Sequence, residues 1–222
     1  NQIVHTRSYG TGGATNREHW PEPYKLAGEL SYSTAESCVP YNVLKLTRHL
    51  FTWKPEASYF DVYENTLLNH ILAAQNPEDG RMLWYLPLAS GYWKNYPSEI
   101  YLCCTGTLTE SYGKLGDSVF FWDDRGLFVN LFVPSELDWS EKGILVRQET
   151  DFPRADSTKL TLRLEQETQL SLRIRIPEWT RNAVVRVNGS AVRSPVKPGT
   201  YLQIERPWRD GDTVELTMPM HL

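Results

Sequence analysis

Cysteine is scarce in this chain, with three residues among 222, at positions 38, 103 and 104. An odd count in which two members are adjacent excludes a disulfide framework, so the thiols must serve another purpose. Long apolar runs are also missing. None approaches the ~18 residues that would suggest a membrane span, and no signal-peptide pattern opens the sequence. The first residues are Asn-Gln-Ile without an initiator methionine, so the compartment, cytoplasmic or periplasmic and secreted, is not readable. Basic runs are absent too. Lys and Arg number 23 against 27 Asp and Glu, for a net charge of −4, which argues against nucleic acid as a partner.

What is abundant is aromatic. Eight Trp and twelve Tyr suit sugar recognition, because flat rings stack on the C–H faces of sugars, although core packing accounts for such residues equally well. An apolar share of 41% with 23% charged residues is the balance of a folded globular chain rather than a disordered one.

The first half reads as helices joined by long loops. Ser33-Thr34-Ala35-Glu36 has the form of a capping box, and Val39, Val43, Leu46 and Leu50 follow at helical spacing, which predicts a helix to near Trp53, before Pro55. A second helix fits Tyr59 to Gln75 on the stripe Phe60, Tyr63, Leu67, Ile71 and Leu72, and Asn76-Pro77 ends it. A third, shorter helix is expected over about residues 106–115. From Gly126 the period falls to two. Phe128 to Val133, Leu160/Leu162/Leu164, Leu170/Leu172/Ile174/Ile176 and Val214/Leu216/Met218 read as half-buried strands, and Asn188-Gly189 as a hairpin turn. The fold class is therefore α plus β and multidomain: residues 1–122 helical and residues 123–222 an antiparallel β-sandwich module, with Asp123-Asp124-Arg125-Gly126 as the turn between them. Three helices are too few to close a helical domain, so their partners are expected upstream and the chain is read as a fragment.

Chemistry concentrates in Glu36-Ser37-Cys38 and Cys103-Cys104, which together offer three thiolates and a carboxylate to one tetrahedral metal, a donor set that suits Zn2+. Two simpler readings stand beside this one. Glu36 would serve merely as the reciprocal partner of a Ser33 cap, and cysteine is often buried with no chemistry at all. Because positions i and i+2 do not share a helix face, Glu36 and Cys38 reach one ion only at a distorted first turn.

Beyond these pairs, Tyr41-Asn42-Val43-Leu44-Lys45-Leu46-Thr47-Arg48, Tyr63-Glu64, Asn69-His70-Ile71-Leu72-Ala73, Gln75-Asn76-Pro77 and Cys103-Cys104-Thr105-Gly106-Thr107 run in order along the chain. So do Gly116-Asp117-Ser118, Val129-Asn130-Leu131-Phe132-Val133-Pro134-Ser135 and Arg147-Gln148-Glu149-Thr150-Asp151-Phe152-Pro153. This series resembles the zinc-dependent β-L-arabinofuranosidases of glycoside hydrolase family 127 and their relatives. The resemblance implies the C-terminal part of an (α/α)6 barrel followed by an antiparallel β-sandwich. It also implies zinc held by Glu36, Cys38, Cys103 and Cys104, with Cys103 as nucleophile. The acid/base is a Glu upstream of the E-x-C motif, after a Gly-rich stretch. Glu18, which follows Gly12-Gly13, fits that place, with Glu22 as the fallback and His19 as a neighbour that tunes Glu18.

The same resemblance gives Glu64 to substrate hydroxyls and places Trp84 or Tyr85 at the substrate, where core packing explains either aromatic as well. The histidines are read as structural. The expected activity is a retaining glycoside hydrolase that removes β-linked L-arabinofuranose from an oligosaccharide or glycan of plant type, the isolated piece lacking turnover without upstream helices. Two alternatives remain: a non-catalytic carbohydrate-binding protein with a structural zinc site, and a glycosidase of the same architecture acting on another sugar.

Overall fold

The computed structural model describes residues 2–97 and 103–221. It divides into two compact units, one of Asn1–Pro55 and Val62–Leu115, the other of Glu56–Asp61 and Gly116–Leu222.

In the first unit, α1 spans Cys38–Trp53 and buries Pro40, Val43, Leu44, Thr47 and Phe51 along one face. Pro40 sits in the first turn, where a missing N–H costs nothing, and Pro55 follows the end at Trp53. The expected capping box does not form. Ser37, not Ser33, stands at the helix start and makes no side-chain cap bond. Residues 33–36 are drawn away instead, because Ala35 adopts the left-handed region (φ 55°) and Glu36 pairs its backbone with Tyr85.

The second helix is shorter than its apolar stripe suggests. α2 covers Ala57–Thr66, a wider π turn follows at Leu67–Ile71, and a 3-10 turn closes at Leu72–Ala74. The widened turn buries Leu67, His70 and Ile71 together. Against it lies the glycine pair. A Cβ on Gly12 would stand 2.3 Å from Thr66 Oγ1, and one on Gly13 would stand 2.6 Å from His70 Nδ1, so side chains at these positions would push the loop off the helix. Burial holds the His70 imidazole well below its ordinary value, at about 3, with Lys94 adding to the effect, and its Nε2 meets Ser37 Oγ at 3.2 Å. α3 spans Cys103–Gly113, opening on the cysteine pair and burying Cys104, Leu108 and Ser111. Tyr112 ties it to the π turn by donating to the Ile71 carbonyl at 3.0 Å.

The second unit is a sandwich of two sheets. The first runs β1 (Phe120–Asp123), β2 (Gly126–Val129), β6 (Thr168–Ile176) and β9 (Thr200–Trp208) in that order. The second runs β3 (Ser135–Trp139), β4 (Ile144–Thr150), β5 (Ser157–Leu164), β10 (Thr213–Thr217), β7 (Val184–Val187) and β8 (Ser190–Ala191). The alternating residues read from the sequence fill the core between them: Leu160, Leu162 and Leu164 on β5, Leu170, Leu172, Ile174 and Ile176 on β6, and Val214 and Leu216 on β10. Asn188 (φ 51°) and Gly189 (φ 78°) make the tight turn that a two-residue hairpin requires.

Two features depart from the sequence reading. The Asp123–Gly126 turn joins β1 to β2 inside the sandwich, with Asp123 Oδ1 accepting from the Arg125 and Gly126 amides. The sheets are also not purely antiparallel, since β2 and β6 run parallel. Between them the chain passes through β3, β4 and β5 of the other sheet, the kind of long crossover that parallel pairing needs. Gly126 permits the approach, for a Cβ there would fall 2.0 Å from Ser171 O.

β6 is buried on both faces, and its outer face carries arginines. Arg173 makes a two-pronged pair with Asp123 at 2.8 and 2.9 Å and lies over the Phe128 ring, and it holds the Asp123 carboxyl below its usual range. Arg175, 0% exposed, donates to Asp61 at 2.6 Å and to the Asn130 carbonyl at 2.7 Å. Asp61 thus fastens the start of α2 to the sandwich. A buried charge left without its partner is costly, so Arg175→Met should lower unfolding free energy by about 3 kcal/mol or more in urea titration, and adding Asp61→Asn should restore part of that loss.

His70 gives a pH test. Its folded value of about 3 lies below the ordinary value near 6.5, so between those limits the unfolded chain holds the extra proton. Its contribution makes stability rise with pH across that window, by about 1.4 kcal/mol per unit, and leaves it flat above. In unfolding titrations at pH 6 and pH 5, wild type should lose about that much more stability than His70→Phe.

Candidate active site and metal centre

Two helix starts and one loop supply four donors. Cys38 opens α1, Cys103 and Cys104 open α3, and Glu36 lies just ahead of α1. Their ligand atoms all fall within 4.8 Å of one another. Cys103 Sγ is 3.7 Å from Cys104 Sγ and 3.8 Å from Glu36 Oε1, Cys104 Sγ is 3.9 Å from the same oxygen, and Cys38 Sγ is 3.2 Å from Cys104 Sγ. A tetrahedral ion with sulfur ligands at about 2.3 Å requires edges of about 3.8 Å, which most of these separations meet. The residues therefore fit a tetrahedral metal.

Burial differs among the three sulfurs. Cys104 is buried, Cys38 half-buried and Cys103 exposed. Burial pushes the Cys38 thiol up to about 11, against a lowering bond from Thr107, and drives Cys104 higher still, helped by its contact with Cys38. Such thiols stay protonated unless a cation offsets the charge, and a coordinated metal ion reverses that preference outright. The partial positive charge at the start of α1 points the same way for Cys38.

The acid/base candidate reaches this centre through Tyr85. Three segments are stitched together: the Ala35 amide donates to the Thr15 carbonyl at 2.9 Å, the Ser37 amide to the Trp84 carbonyl at 2.9 Å, and the Leu86 amide to the Ala35 carbonyl at 3.2 Å. The Tyr85 phenol lies against the Glu18 carboxylate, and it is pushed up to about 12 by burial first and then by the charges of Glu18 and Glu36. One phenol thus faces the proposed acid/base and a metal ligand together. Glu18 is exposed and has a left-handed backbone (φ 66°), an uncommon conformation for a residue with a side chain.

The remaining candidates are placed as follows. Glu22, the fallback, is exposed and pairs with Lys25. His19 is exposed and pairs its backbone with Asn16. Glu64 is a carboxylate 4% exposed on α2, two residues before the Thr66 against which Gly12 packs. Trp84 is half-buried and stacks on Tyr85, with ring centroids 4.8 Å apart.

Sequence reasoning did not anticipate Thr107, whose hydroxyl meets Cys38 Sγ at 3.4 Å, although its place three residues after Cys104, one helical turn on, was a usable signal. Nor did it find the aromatic cleft bordered by Tyr85, whose other walls come from a loop with no periodic pattern.

Residues 1–117 match the family model of the β-L-arabinofuranosidase GH127 catalytic domain, and residues 126–220 match that of the GH127 middle domain. No curated protein matches the chain. Among solved structures, a GH127 β-L-arabinofuranosidase from Geobacillus stearothermophilus T6 is similar at TM-score 0.83 and 24% identity, over 98% of this chain and 37% of its own. A second, a GH127 β-arabinofuranosidase, is similar at TM-score 0.85 and 27% identity, again over 98% and 37%. A third, a glycoside hydrolase, gives 0.81 and 24% over 98% and 41%. The chain thus spans about two fifths of the length of these relatives. With its catalytic-domain match covering more than half of the residues, the chain belongs to the GH127 β-L-arabinofuranosidase family.

Proposed function

We propose that the protein to which this chain belongs is a retaining glycoside hydrolase that removes β-linked L-arabinofuranose from plant-type glycans, with Cys103 as nucleophile and Glu18 as acid/base. One observation carries the reading. The exposed Cys103 sulfur stands in a tetrahedral Cys3Glu cluster, and the residue that faces this cluster, Tyr85, also holds Glu18. The family supports the sugar: two of the similar structures are named as arabinofuranosidases. Zinc, held by Glu36, Cys38, Cys103 and Cys104, is the metal that this donor set favours.

Bound zinc would keep the Cys103 sulfur as thiolate at neutral pH. Cys103 Sγ attacks the anomeric carbon while Glu18 protonates the departing glycosidic oxygen. The C–O bond breaks as the C–S bond forms. Glu18, now a carboxylate, then takes a proton from a water molecule, whose oxygen attacks the same carbon as the sulfur leaves. Two inversions give net retention. Tyr85 orients the Glu18 carboxylate through both steps. Glu64 binds sugar hydroxyls, and Trp84 and Tyr85 offer ring faces to the sugar.

The helical unit is the C-terminal part of an (α/α)6 barrel, and the sandwich is a supporting module. A purely structural zinc site, the basis of a non-catalytic binding protein, would enclose its ligands, and the exposure of Cys103 argues against it.

Two tests use the full-length protein. For the metal, zinc content measured by elemental analysis should be about one per chain in wild type and should fall steeply in Cys104→Ala and Cys38→Ala, each of which removes a buried or half-buried ligand. For the chemistry, Cys103→Ser should lower turnover of an aryl β-L-arabinofuranoside at least about 1,000-fold even where zinc is retained. Glu18→Gln should lower it about 100-fold or more, and less for substrates whose leaving group needs no proton. Full activity in Cys103→Ser would sink the nucleophile assignment.

A further inference from the structure

Beside the site lies a cleft of about 510 Å³ with an aromatic lining that includes Tyr32, Trp84, Tyr85, Tyr92, Trp93 and Asn95. Among the described residues, no acidic or basic side chain lines it. Its walls are ring faces. Trp84 stacks on Tyr85 at an interplanar angle of 17°, and Tyr32 and Tyr92 meet at 5.8 Å between centroids. Trp93 is 80% exposed, and Tyr92 and Tyr32 are more than half exposed. Five large aromatic residues around one concavity form an apolar surface of the kind that marks a binding site. The volume falls in the range of small-molecule sites.

The wall that matters is Tyr85. It borders the cleft and also lies against the Glu18 carboxylate. A general acid must lie within hydrogen-bond reach of the oxygen it protonates, and that oxygen belongs to the leaving group. The leaving group therefore departs on the Glu18 side, next to the Tyr85 wall that the cleft shares. We propose that this aromatic cleft is the leaving-group subsite, seating a neutral sugar ring on the face of Trp93, with Tyr92 and Tyr32 beside it. The assignment rests on Glu18 acting as the acid/base. The uncharged lining among the described residues favours a neutral glycosyl unit over a uronic acid or a charged peptide segment, because an ion would lose hydration there without a compensating partner.

The test compares two substrates on the zinc-loaded full-length protein: methyl β-L-arabinofuranoside, whose leaving group has no ring, and a β-L-arabinofuranosyl-L-arabinose disaccharide. Trp93→Ala should lower kcat/KM for the disaccharide about tenfold, Tyr92→Ala several-fold, and both should leave the methyl glycoside within about twofold of wild type. Equal losses on both substrates, or no loss on the disaccharide, would overturn the subsite. Should wild type cleave neither substrate, the catalytic reading fails, and tryptophan fluorescence on titration with the disaccharide decides the cleft separately. A spectral change in wild type that is lost in Trp93→Ala supports ring binding there, and no change in wild type overturns it.

Discussion

Four donor atoms from three backbone segments must meet within a space of less than 5 Å, and much of the first unit is arranged to make this happen. α1 contributes Cys38 and α3 contributes Cys103 and Cys104, so the two helices have to be held together at these residues. Glu36 is not helical and must be brought in from outside. The backbone bonds that tie residues 14–19, 33–37 and 84–88 together do so, and they also fix Glu18 and Tyr85 in the same arrangement. A site loose by 1 Å would lose both its metal geometry and its proton transfer, so the loop ladder is as necessary as the ligands.

That ladder carries strain. Thr15, Arg17, Glu18 and Ala35 all have positive φ, a region in which each side chain costs free energy. The strain is offset by close packing beneath the loop. Gly12 and Gly13 lie directly on Thr66 and His70, and His70 in turn meets Ser37 between the metal ligands Glu36 and Cys38. The neutral imidazole, the glycine pair and the π turn thus form one packed support under the E-x-C motif. A side chain on either glycine would lift the loop and with it both Glu18 and Glu36.

The sequence made the regular parts legible where local pattern and tertiary packing agree. The end of α1 at Trp53, the strands with period two and the Asn188-Gly189 turn are cases of this kind. It misled where they compete. Ser33 to Glu36 has good capping chemistry, but the chain spends those residues on pairing with Tyr85, because Glu36 is needed at the cluster. The stripe from Phe60 to Leu72 could not reveal a π turn, since one extra residue per turn still buries Leu67 and Ile71. The arginines of β6 look like outward-facing residues of a half-solvated strand, yet Asp123 and Asp61 neutralise them in the interior. At the site, the four clustered donors were legible as residue types at telling positions. The Tyr85–Glu18 contact and the aromatic cleft were not, because they depend on where long loops fold back.

Helix geometry also explains how two adjacent cysteines take different roles. Consecutive residues on an α-helix point about 100° apart, so only one of a vicinal pair can face the core. Cys104 shares its face with Leu108 and Ser111, which lie one and two turns further on and are buried with it. Cys103 must then point away from that face, and it is the exposed member. Both sulfurs still approach the same Glu36 oxygen, Cys103 at 3.8 Å and Cys104 at 3.9 Å. A nucleophile has to meet its substrate, and a ligand that anchors a metal is best held out of water. In the proposed mechanism these duties follow from burial: Cys104 would anchor the metal, and Cys103 would be left where a sugar carbon can reach it.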